Sequence, residues 1–140
     1  MTYRTVVNGV IRNPSGEIFI CKKPADRGIF PGQWAIPGGG IGTNETAQQS
    51  LIREITEETG LNITNIKPLF FYELQTTKYH PTETKQDLQL TVLVYSANSN
   101  SDKVILDHEH EEYAWIKPAN LGKHNFNPAT KKTFKQMGLL

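Results

Sequence analysis

Apolar and β-branched residues gather in short runs along this chain, with polar and glycine-rich stretches between them. Thr5 to Ile11 is dense in β-branched residues and reads as a strand. Asn13, Pro14, Ser15 and Gly16 form a turn signal, and Glu17 to Cys21 reads as a second strand, so the two predict a hairpin. Pro24 to Gly32 reads as loop, because Gly28, Pro31 and Gly32 break any regular pattern. Gly38, Gly39 and Gly40 are expected to open a flexible stretch. Glu45 to Thr59 is the clearest helix, ending where Gly60 can adopt the left-handed cap conformation. Ile66 to Gln75, Leu88 to Tyr95 and Glu112 to Ile116 read as strands, and Ser96 to Asp102 as a polar turn. Near the end, Asn127 can cap a helix over Ala129 to Met137, with Pro128 at the first helical position. This order predicts a mixed α/β sandwich. Strict strand–helix–strand alternation is absent, which disfavours a doubly wound sheet.

The main helix carries its charge unevenly. With Glu54 at zero on a helical wheel, Glu58 falls at about +40° and Glu57 at about −60°. The three carboxylates therefore share one arc, and Leu51, Ile52 and Ile55 form an apolar stripe beside it. Like charges one turn apart repel, and the helix dipole disfavours anions near its C-terminus. Arg53 can offset part of this through Glu57, and a hard cation would offset more. Mg²⁺ takes oxygen ligands, keeps waters, and shares its other positions with substrate phosphates. A solvated acidic face is the plain alternative.

Composition narrows the classes. The chain has 140 residues, the size of one domain, 1–140. Fifteen basic and fourteen acidic residues leave a net charge of +1, which argues against non-specific nucleic-acid binding. One cysteine, Cys21, leaves no internal disulfide and no cysteine-rich zinc site, and fits a reducing cytoplasm. No apolar run approaches the roughly 20 residues that span a bilayer, and the first residues lack a signal peptide's apolar stretch. The expectation is a cytoplasmic protein with no membrane partner. No EF-hand loop is present, and no P-loop lysine follows the glycines.

A denser pattern surrounds the acidic helix. It runs glycine, five residues, glutamate, seven residues, Arg-Glu, an aliphatic, any residue, Glu-Glu, any residue, glycine and an aliphatic. Gly39, Glu45, Arg53, Glu54, Ile55, Glu57, Glu58, Gly60 and Leu61 occupy its fixed positions. This resembles the Nudix box, here residues 39–60. The flanking stretches Asp26 to Ala35, Glu112 to Pro118 and Asn127 to Thr133 are similar to the NudI-type nucleoside triphosphatases within that family. The resemblance implies a Nudix α/β/α sandwich with a mixed β-sheet. It also implies Mg²⁺-dependent hydrolysis of nucleoside triphosphates, with Mn²⁺ able to substitute. The expected substrates are pyrimidine deoxynucleoside triphosphates (dUTP, dTTP, dCTP), giving monophosphate and pyrophosphate. The alternatives are other nucleoside diphosphate derivatives (a nucleotide sugar, a dinucleotide, an oxidised purine triphosphate), or a non-catalytic nucleotide-sensing module. The implied partner is a small nucleotide, with no nucleic acid, and the chain is expected as monomer or homodimer.

By the same resemblance Glu54, Glu57 and Glu58 are metal carboxylates, and the Gly38 carbonyl adds a ligand. Arg53 orients the glutamates, Glu45 steadies the loop before the helix, and Gly39 and Gly60 serve the backbone. The general base is Glu54 or a remote glutamate, of which Glu109 is the best placed; Glu54 is preferred. Other residues have two readings each. Arg27 can reach a phosphate or lie exposed in its loop. Asn127 can read a base edge or only cap its helix. His108 and His110 can share a strand face toward a metal, but no third ligand has suitable spacing, which leaves a solvated polar loop. Residues 117–140 hold five lysines and no acid, either attracting triphosphate or simply exposed on a helix. Trp34 and Trp115 are expected in the core, and Cys21 buried and inert.

Overall fold

The computed structural model describes residues 1–140. Eight strands form one sheet: β1 (Thr2–Arg12), β2 (Ile18–Lys22), β3 (Gly28–Ile29), β4 (Trp34–Ala35), β5 (Gly38–Gly40), β6 (Ile63–Tyr79), β7 (Gln86–Ser99) and β8 (Glu112–Ile116). Two α-helices complete the fold, α1 (Ala47–Thr59) and α2 (Pro128–Gln136), with a short 3-10 turn at Pro118–Lys123. The sheet order is β3-β6-β7-β1-β2-β4, with β5 also paired to β1 and β8 to β2. It is mixed, because β1 and β7 run parallel while β1–β5, β2–β8 and β6–β7 are antiparallel.

Alternation along the strands divides the core in two. Val6 and Val10 of β1, Ile18 and Ile20 of β2, and Leu88 to Val94 at every second position of β7 join Ala129 and Phe134 of α2. Val7, Ile11, Phe19 and Cys21 face the other way, onto Leu51 and Ile55 of α1. One helix thus covers each face, the expected α/β/α arrangement. Trp34 and Trp115 pack against these clusters, half-buried, and Cys21 is buried, its thiol pKa pushed up chiefly by burial.

The structure departs from the sequence expectations where local signals were outvoted. Gly38–Gly40 is not a flexible stretch but strand β5, paired residue for residue with Val6–Asn8. The Pro24–Gly32 loop contains β3, whose Gly28 and Ile29 pair with Tyr79 and Lys78. β6 and β7 are longer than expected, and β7 takes in the polar run up to Ser99, because β6 supplies partners as far as Ile63↔Ser99. Helix α1 starts two residues late. Thr46 caps it by accepting from the Gln49 N–H, while the Gln49 side chain accepts from the Thr46 N–H. Its end is as expected, with Gly60 at φ 72°. Ile52 does not join the apolar stripe; it is 40% exposed, and Leu51 and Ile55 alone are buried.

Candidate active site

Strand β5 lies between β1 and the C-terminal half of α1, and its lack of side chains decides what α1 can present. A Cβ at Gly39 would sit within about 2.5 Å of Glu54 Oε2, so glycine there admits the Glu54 carboxylate against the strand. A Cβ at Gly38 would collide with the Val7 carbonyl and lie 2.8 Å from the Asn8 Cα. The Gly38 N–H donates to Glu58 Oε2 at 3.3 Å. Glu54 and Glu58 therefore line one wall of a cavity of about 470 Å³, together with Gly38, Gly39 and Gly40.

The other walls bring in Arg4 of β1, Lys23, Arg27, Lys78 of β6, His108 and Glu109. Carboxylates and cations thus face the same space. Of the residues expected from the sequence, Glu54, Glu58, Gly38, Gly39, Glu109 and Arg27 converge here. Glu57 does not line it: its side chain is 57% exposed, and its oxygens lie 3.4 Å from Arg53 Nη1, the nitrogen that also donates to Glu54. No three acidic, histidine or cysteine side chains stand close enough to close around an ion in this arrangement.

Arg53 ties the loop to the helix. Its Nε donates to both Glu45 oxygens at 3.0 and 2.9 Å, its Nη1 to Glu54 Oε1 at 3.0 Å, and its Nη2 to the Gly40 carbonyl at 3.3 Å. Ser50 completes the joint by donating to Glu45 Oε1 and accepting from the Gly42 N–H. The bond from Arg53 is the main cause that holds the Glu45 carboxyl below its usual pKa.

The two cavity glutamates are shifted the other way. Burial raises the Glu54 pKa, with Arg53 opposing and the charges of Glu57 and Glu109 adding. Glu58 is only 5% exposed, and its pKa is pushed well up by burial first, with Lys23 opposing and Glu54 and Asp107 adding. Clustered, desolvated carboxylates of this kind are stabilised in their charged form by a cation.

Arg27 is not free in its loop. Nη1 pairs with Asp26 at 3.0 Å and Nη2 donates to the His108 carbonyl at 2.9 Å, fixing the guanidinium at the cavity rim. Asn127 caps α2, its Oδ1 accepting from the Thr130 N–H at 2.7 Å, and lies outside the large cavity. It lines instead a second pocket of about 90 Å³. The histidines separate. His108 is exposed, whereas His110 is buried and bound to Asp107, so the solvated-loop reading fails at His110. Lysines 131, 132 and 135 line an open groove with Tyr72 and do not reach the acidic cavity.

Arg4, Lys23 and Lys78 were missed as candidates. Arg4 carried a signal, since it stands two residues before Val6 and shares its face of β1. Lys23 and Lys78 carried none, because their places depend on the pairing of β2 and β6 with distant strands.

A family model described as "NUDIX domain" matches residues 2–137. The chain is 39% identical over 142 residues to "Nucleoside triphosphatase NudI" of Escherichia coli O139:H28, covering 100% of both chains. The fold is similar to the crystal structure of MutT protein from Methanosarcina mazei Go1, with a TM-score of 0.71 and 25% identity over 97% of this chain and 92% of that one. It is also similar to the MutT NUDIX hydrolase from Burkholderia pseudomallei, with a TM-score of 0.77 and 22% identity over 97% and 98% of the two chains.

Proposed function

The chain belongs to the Nudix hydrolase family, and from that premise we propose that it is a Mg²⁺-dependent nucleoside triphosphate pyrophosphatase. Pyrimidine deoxynucleoside triphosphates are its preferred substrates, and a monophosphate and pyrophosphate its products. The observation that carries this reading is the cavity itself, with Glu54 and Glu58 on one wall and Arg4, Lys23, Arg27 and Lys78 on the others. Acid for a cation and base for phosphates meet in one space. The full-length identity to a nucleoside triphosphatase supports the substrate class.

The donor set fits Mg²⁺: hard carboxylate oxygens, two of them turned into the cavity and shifted by burial, beside backbone carbonyls of a side-chain-free strand. Glu54, Glu58 and the Gly38 carbonyl would hold the ion, with Glu57 joining from the same helix end, and Mn²⁺ can replace it. When bound, the ion supplies charge neutralisation at the phosphate oxygens and acidifies a coordinated water. The chain's own residues do the rest. Arg53 fixes the Glu54 carboxylate, and Glu45 fixes Arg53. Arg4, Lys23, Arg27 and Lys78 bind and orient the triphosphate. Glu54 takes the proton of the attacking water, being anchored by Arg53, whereas Glu109 is exposed at the cavity rim.

The test is a panel of nucleoside triphosphates, nucleotide sugars and dinucleotides, with products separated by ion exchange. Monophosphate plus pyrophosphate from triphosphates is expected. Diphosphate plus orthophosphate, or turnover confined to nucleotide sugars or dinucleotides, contradicts the proposal.

A further inference from the structure

Beside the acidic cavity lies the smaller pocket of about 90 Å³, and it contains a buried histidine that the chemistry above does not use. The two spaces share Val6, Lys23, Ile29, Gly38 and Gly39 as walls, so they open onto the same stretch of β1 and β5. The rest of its lining is mixed: Ile36, Leu90, Val92 and Ala129 are apolar and lie on the side covered by α2, while Asn8, Asn127 and Thr130 are polar. Phe30 at its edge is held at φ 57°, a left-handed conformation that a bulky residue rarely adopts. Strain of this kind collects at binding sites.

His110 is 8% exposed, and its Nδ1 lies 2.9 Å from Asp107 Oδ1. Asp107 is fixed in turn, because its N–H donates to the Glu58 carbonyl at 3.1 Å. A carboxylate only accepts, so the proton of this pair sits on Nδ1 and Nε2 presents a lone pair. Burial lowers the His110 pKa, which keeps the ring neutral and Nε2 an acceptor. Nε2 has no partner in the chain, yet it is not among the sealed, unpartnered polar atoms, a description that fits His124 Nδ1 alone. It therefore reaches open space, and the space that His110 lines is this pocket.

A closed apolar cavity of ~150 Å³ takes up one benzene ring. At about 90 Å³ this pocket is smaller than that and admits the edge of a ring; the single-ring base follows from the nucleotide reading above. Asn127 supplies the complementary group: its Oδ1 is engaged by the helix cap, which leaves the Nδ2 donor. We propose that His110, held by Asp107, is a specificity-determining residue whose Nε2 accepts a hydrogen bond from a ring-edge N–H of a single-ring base. This rests on the nucleotide reading of the cavity. The donor is the imide N–H of uracil or thymine, or the amino group of cytosine.

The test compares dTTP with N3-methyl-dTTP, and dCTP with N4,N4-dimethyl-dCTP, on the wild-type chain and on His110→Leu and His110→Gln. On the wild type at least one methylated analogue should raise KM about tenfold or more, with kcat changed far less. The affected pair identifies the donor. Leucine keeps the bulk and removes the acceptor, so His110→Leu should take each pair within about twofold. His110→Gln restores an acceptor and should recover part of the discrimination. Equal use of both pairs by the wild type overturns the proposal without needing any variant to fold. Unchanged discrimination in His110→Leu also overturns it, since the loss is then steric. If no parent triphosphate is turned over, the nucleotide reading itself falls; turnover without discrimination removes only the role of His110.

Discussion

Helices α1 and α2 cover opposite faces of one sheet, and each begins with a side-chain cap, Thr46 on one and Asn127 on the other. What they bury differs. Helix α2 buries Thr130, Thr133 and Phe134, and its buried hydroxyls are matched: Thr130 Oγ1 accepts from the Ile36 N–H, and Thr133 meets the Tyr72 hydroxyl at 2.9 Å. Helix α1 buries Leu51 and Ile55 as α2 buries Phe134, but it also buries the carboxyl of Glu58, with one hydrogen bond at 3.3 Å. A satisfied hydroxyl costs little on burial, while a carboxylate with one long bond costs much. The fold tolerates that cost on α1, beside the cavity, and not on α2. Side by side, the helices separate residues that hold the sandwich together from residues whose burial a cation would relieve, which is where the proposed metal site lies.

The largest effect that would sharpen this contrast is on turnover. Glu58→Gln keeps volume and removes the charge; it should lower turnover by about 10–100-fold or more, as loss of a metal-site support does, and leave the chain folded. The matching change on α2, Phe134→Ala, empties a fully buried site and should cost about 3–5 kcal/mol of stability. Its turnover per folded molecule should stay within a few-fold of wild type. Steady-state rates beside denaturant unfolding of both variants would show the split. A stable, fully active Glu58→Gln would break it.

A smaller effect concerns pH. The folded-state pKa of Glu58 lies above its unfolded value because of burial, so the unfolded chain binds fewer protons between the two. In chelator, stability contributed at this residue is fully present below the unfolded carboxylate pKa and is lost as pH rises through the raised one. Glu54 acts in the same direction. Glu58→Gln should therefore unfold at a higher temperature than wild type near neutral pH, with a flatter dependence of Tm on pH above the ordinary carboxylate range. Parallel Tm curves for the two chains would remove the argument from burial.

Much of this was legible in the sequence, because it depends on local spacing. The acidic arc of α1, its glycine cap and the Asn127 cap are set within a turn or two of chain. The Arg53–Glu57 contact follows from four-residue spacing. What stayed hidden depends on distant partners. Three glycines in a row look flexible until β1 pairs with all three, residue for residue. A wheel places Glu57 in the acidic arc but cannot show that it stays 57% exposed, off the cavity that Glu54 and Glu58 line. Ile52 looks like its apolar neighbours until the sheet takes only Leu51 and Ile55. His110 looks like solvated loop until Asp107, itself tied to the end of α1, holds its ring buried against the small pocket.

The central claim is that the buried end of α1 is a cation site, and metal binding measures it without any substrate. Mn²⁺ titrated into the chain, followed by the loss of free-ion paramagnetic resonance signal, should show saturable binding that Mg²⁺ displaces. Glu58→Gln and Glu54→Gln should each weaken it by about 10–100-fold, the range typical when a metal site loses one of its supports, while Phe134→Ala binds as the wild type does. Equal Mn²⁺ affinity in the wild type and both glutamine variants would contradict the account.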